Sequence, residues 1–75
     1  MKKKIVILGS TGSIGKTTFN IIKKNKNIFS ISLLSTNKNI NTVLKQAKIF
    51  NVKNIVIIDF QKFILAKKKY KNINF

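Results

Sequence analysis

Three glycines fall within seven residues, Gly9-Ser10-Thr11-Gly12-Ser13-Ile14-Gly15, between an apolar run and an amphipathic one. The run before them, Lys4-Ile5-Val6-Ile7-Leu8, is continuous and β-branched, as in a strand buried on both faces of a parallel sheet. After them Ile14, Thr18, Ile21 and Ile22 recur at helical spacing with Phe19 beside them. This predicts an amphipathic helix from about Ser13 to Lys24, ended by Asn25-Lys26-Asn27. A strand, a glycine turn and a helix in that order restrict the fold more than any other feature. The backbone N–H groups of such a turn and the positive end of the helix dipole converge on one point, where an anion can sit.

The pattern repeats along the chain. Ile28-Phe29-Ser30-Ile31-Ser32-Leu33-Leu34 reads as a second strand, alternating at first and apolar at its end, and Ser35 to Asn39 as a polar loop. Ile40, Val43, Leu44, Ala47 and Phe50 mark a second helix, and Asn51 to Asn54 a turn. Ile55-Val56-Ile57-Ile58 is a third strand, followed by Asp59 in position to cap a third helix. Phe60, Phe63, Ile64 and Ala66 continue at core spacing on that helix, and Lys67-Lys68-Lys69 occupy its last turn. Asn72 to Phe75 reads as the start of a further strand. Alternation of this kind specifies an α/β chain with right-handed crossovers: half of a Rossmann-like doubly wound parallel sheet, β-α-β-α-β-α, truncated.

Composition excludes several classes of chemistry. Asp59 is the one acidic side chain, and there is no His and no Cys among the 75 residues. Paired-carboxylate catalysis, a carboxylate cage for Mg²⁺ and a thiolate metal site are therefore absent from these residues. The expectation is a chain that binds, with no catalytic and no metal-ligating residue of its own. The net charge of +15 invites a nucleic-acid reading, but all 16 basic residues are Lys and none is Arg. With 14 Ile and 10 Asn beside them, the lysines follow the codons of an A/T-rich genome. No stretch reaches the roughly 20 apolar residues that span a bilayer. The short Ile5–Leu8 run, broken by Gly9, lacks the length of a signal peptide, so a cytoplasmic setting is expected.

Each glycine of the first turn has its own use in a dinucleotide fold. Gly9 permits the turn off the strand, Gly12 lets a pyrophosphate approach the backbone, and Gly15 allows the helix to pack closely. The spacing is Gly-x-x-Gly-x-x-Gly. Gly15-Lys16-Thr17 resembles the end of a P-loop, but that motif needs glycine at position 10, where the chain has Ser10. At the end of the second strand an NAD enzyme places Asp or Glu against the ribose 2′-hydroxyl. Here the residues are Ser35-Thr36-Asn37-Lys38-Asn39, with a cation and no acid. A 2′-phosphate suits that set, which points to NADPH.

Ile7-Leu8-Gly9-Ser10-Thr11-Gly12-Ser13-Ile14-Gly15 resembles the opening signature of the 1-deoxy-D-xylulose 5-phosphate reductoisomerase family. Thr36-Asn37-Lys38-Asn39 resembles that family's turn at the adenosine 2′-phosphate, and the Ile55–Asp59 strand falls at its spacing. The resemblance implies cofactor contacts at Thr11, Gly12, Ser13 and Ile14 on the first turn, and at Asn37, Lys38 and Asn39 on the second. Glycine is common in the family where this chain has Asn37, and Asn tolerates the positive φ that a glycine there would supply. It also implies an isomerisation and NADPH-dependent reduction of 1-deoxy-D-xylulose 5-phosphate to 2-C-methyl-D-erythritol 4-phosphate, in isoprenoid precursor synthesis. Mg or Mn would assist, and a full-length member would be a homodimer. On this reading residues 1–75 are a partial NADPH-binding domain, with the catalytic and carboxy-terminal domains absent, and inactive by itself. Two other readings stay open: another NADP-dependent Rossmann oxidoreductase, or a small basic nucleic-acid-binding protein. The latter calls for Arg or for exposed aromatic rings that stack on bases.

Overall fold

The computed structural model describes residues 2–75. Its elements are β1 (Lys3–Ile7), α1 (Ser13–Lys24), β2 (Phe29–Thr36), α2 (Ile40–Phe50), β3 (Ile55–Ile57) and α3 (Phe60–Lys69). The strands form one parallel sheet in the order β1-β2-β3. Asn74 makes a single parallel bridge to Asn54 beside the start of β3, where the tail was expected to begin a further strand.

One face of the sheet carries the core. Ile7, Ile31, Leu34, Ile55 and Ile57 from the strands form a single cluster with Phe19 and Ile22 of α1, Val43 and Ala47 of α2, Val52, and Ala66 of α3. Register explains the choice of strand residues. Ile5 pairs with Ile31 but Val6 pairs with Leu33, so Ser32 is an extra residue in β2. This bulge moves Leu34 onto the same face as Ile31 despite their odd spacing. Leu34 then lies between Ile7 and Ile55 and is fully buried.

The other sheet face is open, which corrects the reading of the first strand as buried on both sides. Val6 is 54% exposed, and Leu8 lies past the strand end at 74%. Val56 and Ile58 are likewise exposed, and Ile58 falls outside β3. The apolar composition of these strands describes a sheet made for two covered faces, while α1, α2 and α3 all pack in one layer.

The helices follow the predicted limits, with corrections in their buried faces. In α1 the buried residues are Gly15, Phe19 and Ile22, whereas Ile14, Thr18 and Ile21 are exposed. Phe19 meets Phe50 of α2 edge-on, with ring centroids 5.5 Å apart. In α3 Ala66 is buried and Phe63 packs against the core, but Phe60 is 70% exposed and stacks on Phe63. Phe60 is the first residue after the cap and stays largely exposed, so helical spacing alone misassigned it. Asp59 caps α3 as expected, its Oδ2 accepting from the Lys62 amide at 3.0 Å. Asn39 caps α2 in the same way through the Thr42 amide. Asn51 ends α2 in the left-handed conformation, φ 54°, which Asn accepts more readily than most residues.

Candidate functional site

Parallel strands bring their carboxyl ends to one side of the sheet. The turn after β1, the loop after β2 and the start of α3 therefore collect there. Three glycines shape the first turn, and their reasons differ. Gly9 has φ +67°, a conformation that L side chains rarely adopt. A Cβ on Gly15 would lie 2.0 Å from the Gly9 carbonyl oxygen and 2.7 Å from the Ser10 Cα, so α1 can pack against this turn only through a glycine. Gly12 is under neither constraint. Its φ is −74°, and a Cβ there would meet the Gly9 oxygen at an ordinary 3.6 Å.

Gly12 is also the N-cap of α1 and supplies no capping side chain, so the first N–H groups of the helix face outward without one. The helices α2 and α3 both have side-chain caps. Thr11 is half-buried, and Gly12, Ser13 and Ile14 are exposed, Ile14 to 82%. Gly12, Ser13 and Ile14 line a hollow together with Val6 and Leu8.

The turn is held in place by polar groups whose pairing the sequence did not show. Ser10, Ser35, Thr36 and Gln46 are all buried. Ser10 Oγ donates to Gln46 Oε1 at 2.7 Å, and Gln46 Nε2 donates to the Ser10 carbonyl at 2.9 Å. The Ser10 amide donates to the Ser35 carbonyl at 2.9 Å, and the Gly9 amide to Ser35 Oγ at 2.7 Å. Among the described residues no buried side-chain nitrogen or oxygen lacks a hydrogen-bond partner. The expectation of a polar loop from Ser35 to Asn39 is corrected accordingly. Ser35 and Thr36 finish β2 and are buried because the glycine turn lies against them.

The second loop is joined to the first. Thr36 Oγ1 lies 2.7 Å from Thr11 Oγ1 and accepts from the Asn39 amide at 3.2 Å. The Asp59 amide donates to the Asn37 carbonyl at 2.9 Å, which ties the loop to the end of β3. Asn37, Lys38 and Asn39 are exposed. Among the described residues only Asn51 and Gly9 have positive φ, so Asn37 has no need of the left-handed conformation expected of it. Asn39 Oδ1 is taken up by its helix cap. Lys38 and Asn39 line a hollow between the start of α2 and α3, with Lys62, Lys68 and Lys69. The two groups of expected contacts thus share one end of the sheet and a bridging hydroxyl, but open into different hollows.

A P-loop reading finds no support in this geometry. The Thr17 hydroxyl donates to the Ser13 carbonyl within α1, and the Asp59 carboxylate is engaged at the start of α3. Among the described residues no helix is long and apolar enough to cross a membrane.

Comparison with known proteins agrees with the fold. A curated relative from Pelagibacter ubique, 1-deoxy-D-xylulose 5-phosphate reductoisomerase, is 49% identical over 70 residues, 93% of this chain and 18% of the relative. The protein of that name from Porphyromonas gingivalis is 43% identical over 68 residues, 91% of this chain and 18% of the relative. The solved structure of 1-deoxy-D-xylulose 5-phosphate reductoisomerase from Zymomonas mobilis in complex with NADPH superposes with a TM-score of 0.84 at 31% identity. That superposition covers 91% of this chain and 18% of the other. The chain therefore spans about a fifth of the length of these relatives. The family model for 1-deoxy-D-xylulose 5-phosphate reductoisomerase matches residues 5–75, and the chain belongs to that family.

Proposed function

We propose that the chain binds NADPH, as the amino-terminal cofactor-binding portion of a 1-deoxy-D-xylulose 5-phosphate reductoisomerase. The observation that carries this is Gly12. Neither its backbone angles nor the space within the chain calls for a glycine there, so the missing side chain serves a group approaching from outside. A phosphate fits that position, because the uncapped start of α1 presents N–H groups and a positive dipole end to it. The Zymomonas mobilis relative is described in complex with NADPH.

On this reading Thr11, Gly12, Ser13 and Ile14 hold the pyrophosphate: Thr11 through its hydroxyl, Gly12 through the space its missing side chain leaves while its N–H stays on the Gly9 carbonyl, and Ser13 and Ile14 through backbone N–H groups. Asn37, Lys38 and Asn39 hold the adenosine 2′-phosphate, with Lys38 as the charged partner and Lys62 adding to the local positive field. Asn39 has its amide nitrogen left for this, since its oxygen caps α2. Bound NADPH supplies a hydride, and this chain's own residues bind and orient it. They do not fit a divalent cation: the sequence has one carboxylate side chain and no His or Cys. Among the described residues no three such groups come together. The Mg or Mn, the reduction of 1-deoxy-D-xylulose 5-phosphate to 2-C-methyl-D-erythritol 4-phosphate, the homodimer and the cytoplasmic setting belong, in this proposal, to a full-length member. The chain by itself is inactive.

Fluorescence titration with NADPH and with NADH tests the reading. The expected result is weak binding that favours NADPH, because the nicotinamide end lacks its pocket. Equal affinity for the two would overturn the 2′-phosphate assignment, and no binding of either would overturn the site. Metal-dependent oxidation of NADPH in the presence of substrate would overturn the claim of inactivity.

A further inference from the structure

Gln46 lies 36 residues from Ser10 in sequence, on a different helix from the one the glycine turn begins. It is 6% exposed and does not line the hollow at that turn. A buried primary amide is costly unless its groups are satisfied. Here the side chain spends one N–H donor and its oxygen acceptor on a single residue, the one between Gly9 and Thr11. Nε2 takes the Ser10 carbonyl and Oε1 takes the Ser10 hydroxyl. The Ser10 amide is held by the Ser35 carbonyl, so every polar group of Ser10 is engaged. A peptide unit held in this way has no freedom to rotate. The Ser10 carbonyl shares its peptide plane with the Thr11 N–H, so that plane is set, and the following planes, which aim the N–H groups of Ser13 and Ile14, start from it.

We propose that Gln46 is a positioning residue for the phosphate-binding turn, acting through Ser10 and never touching the ligand. The proposal rests on the NADPH reading of that turn. The clamp governs the pyrophosphate end of the site. The adenosine 2′-phosphate end depends on Lys38, which lies on the loop before α2.

The test compares two probes, inorganic pyrophosphate and adenosine 2′-phosphate, on the chain and on two variants, with the melting temperature of each. Gln46→Leu keeps the bulk and removes both hydrogen bonds. It is expected to weaken pyrophosphate about tenfold, the equivalent of one or two net hydrogen bonds, while adenosine 2′-phosphate keeps its affinity. Gln46→Glu adds a pH readout. Protonated, the carboxyl group can again donate to the Ser10 carbonyl and accept from its hydroxyl. Ionised, it would present a buried negative charge to that carbonyl. Pyrophosphate binding by this variant, taken as a ratio to the unaltered chain at each pH, should therefore rise on acidification. If both probes weaken together in step with lost folded protein, Gln46 is structural only and the proposal fails. If pyrophosphate binds Gln46→Leu as well as it binds the unaltered chain, the proposal also fails. If the unaltered chain binds neither probe, the cofactor reading itself fails and takes the proposal with it.

Discussion

The hydroxyls of Thr11 and Thr36 meet at 2.7 Å and join the glycine turn after β1 to the loop after β2. Thr36 is 1% exposed and also accepts the Asn39 amide, so one buried oxygen serves both loops. Thr36→Val should keep the shape and delete that oxygen, leaving the Asn39 amide unpaired. The expected cost is about 1–3 kcal/mol in urea unfolding. Thr36→Ser, which keeps the hydroxyl, should lose less. A Thr36→Val chain as stable as the unaltered one, beside a Thr36→Ser chain that loses stability, would mean that packing of the methyl group matters and the hydroxyl does not.

Glycines 12 and 15 should separate fold from ligand. Gly15→Ala drives a methyl group into the backbone of Gly9 and Ser10, which has no side chain to move aside. A loss of about 2–4 kcal/mol is expected in thermal or urea unfolding, at the upper end for overpacking. Gly12→Ala meets ordinary contact distances and should change stability by less than about 1 kcal/mol. It should still weaken NADPH, since the methyl group occupies the approach to the backbone. A Gly12→Ala chain that bound NADPH normally would remove the main support for the proposed site.

Lys38 should discriminate between cofactors. A charge-assisted hydrogen bond to the 2′-phosphate contributes about 1.5–3 kcal/mol, or roughly ten- to hundredfold in affinity. Lys38→Ala is expected to weaken NADPH by that factor and leave NADH nearly unchanged. Lys16→Ala, on the exposed first turn of α1, removes the same charge and should not change the ratio of the two affinities. Equal losses for both cofactors in both variants would mean that bulk lysine charge, not Lys38, attracts the ligand.

Salt should stabilise the folded chain. Sixteen lysines face one carboxylate side chain within a radius of gyration of 11.8 Å. At about 0.01 M ionic strength the screening length is roughly 30 Å, so like charges repel across the whole molecule, and at 1 M it is roughly 3 Å. The melting temperature should rise steadily over that range with sodium chloride. A fall would show that salt weakens an attraction in the folded chain that the charge count does not reveal.

What the sequence determined by itself was local. The order of strands and helices followed from apolar period and turn residues, each read within about a dozen neighbours. Gly9, Gly15, Asp59 and the limits of α1 and α2 fall where that reading put them, because a positive φ, a close approach or a helix cap is settled by a residue and its neighbours. The tertiary structure alone decided what depends on distant partners. The bulge at Ser32 set which residues of β2 face the helices, and the alternation of the sequence does not show which residue is extra. All three helices pack on one sheet face, which left Val6 and Leu8 exposed although their run reads as buried. Ser10, Ser35, Thr36 and Gln46 are ordinary polar residues in the sequence, and nothing in their spacing marks them as one cluster. They are buried together because packing α1 and α2 on one parallel sheet brings positions 10, 35 and 46 to a single point, where each polar group must find its partner inside the protein.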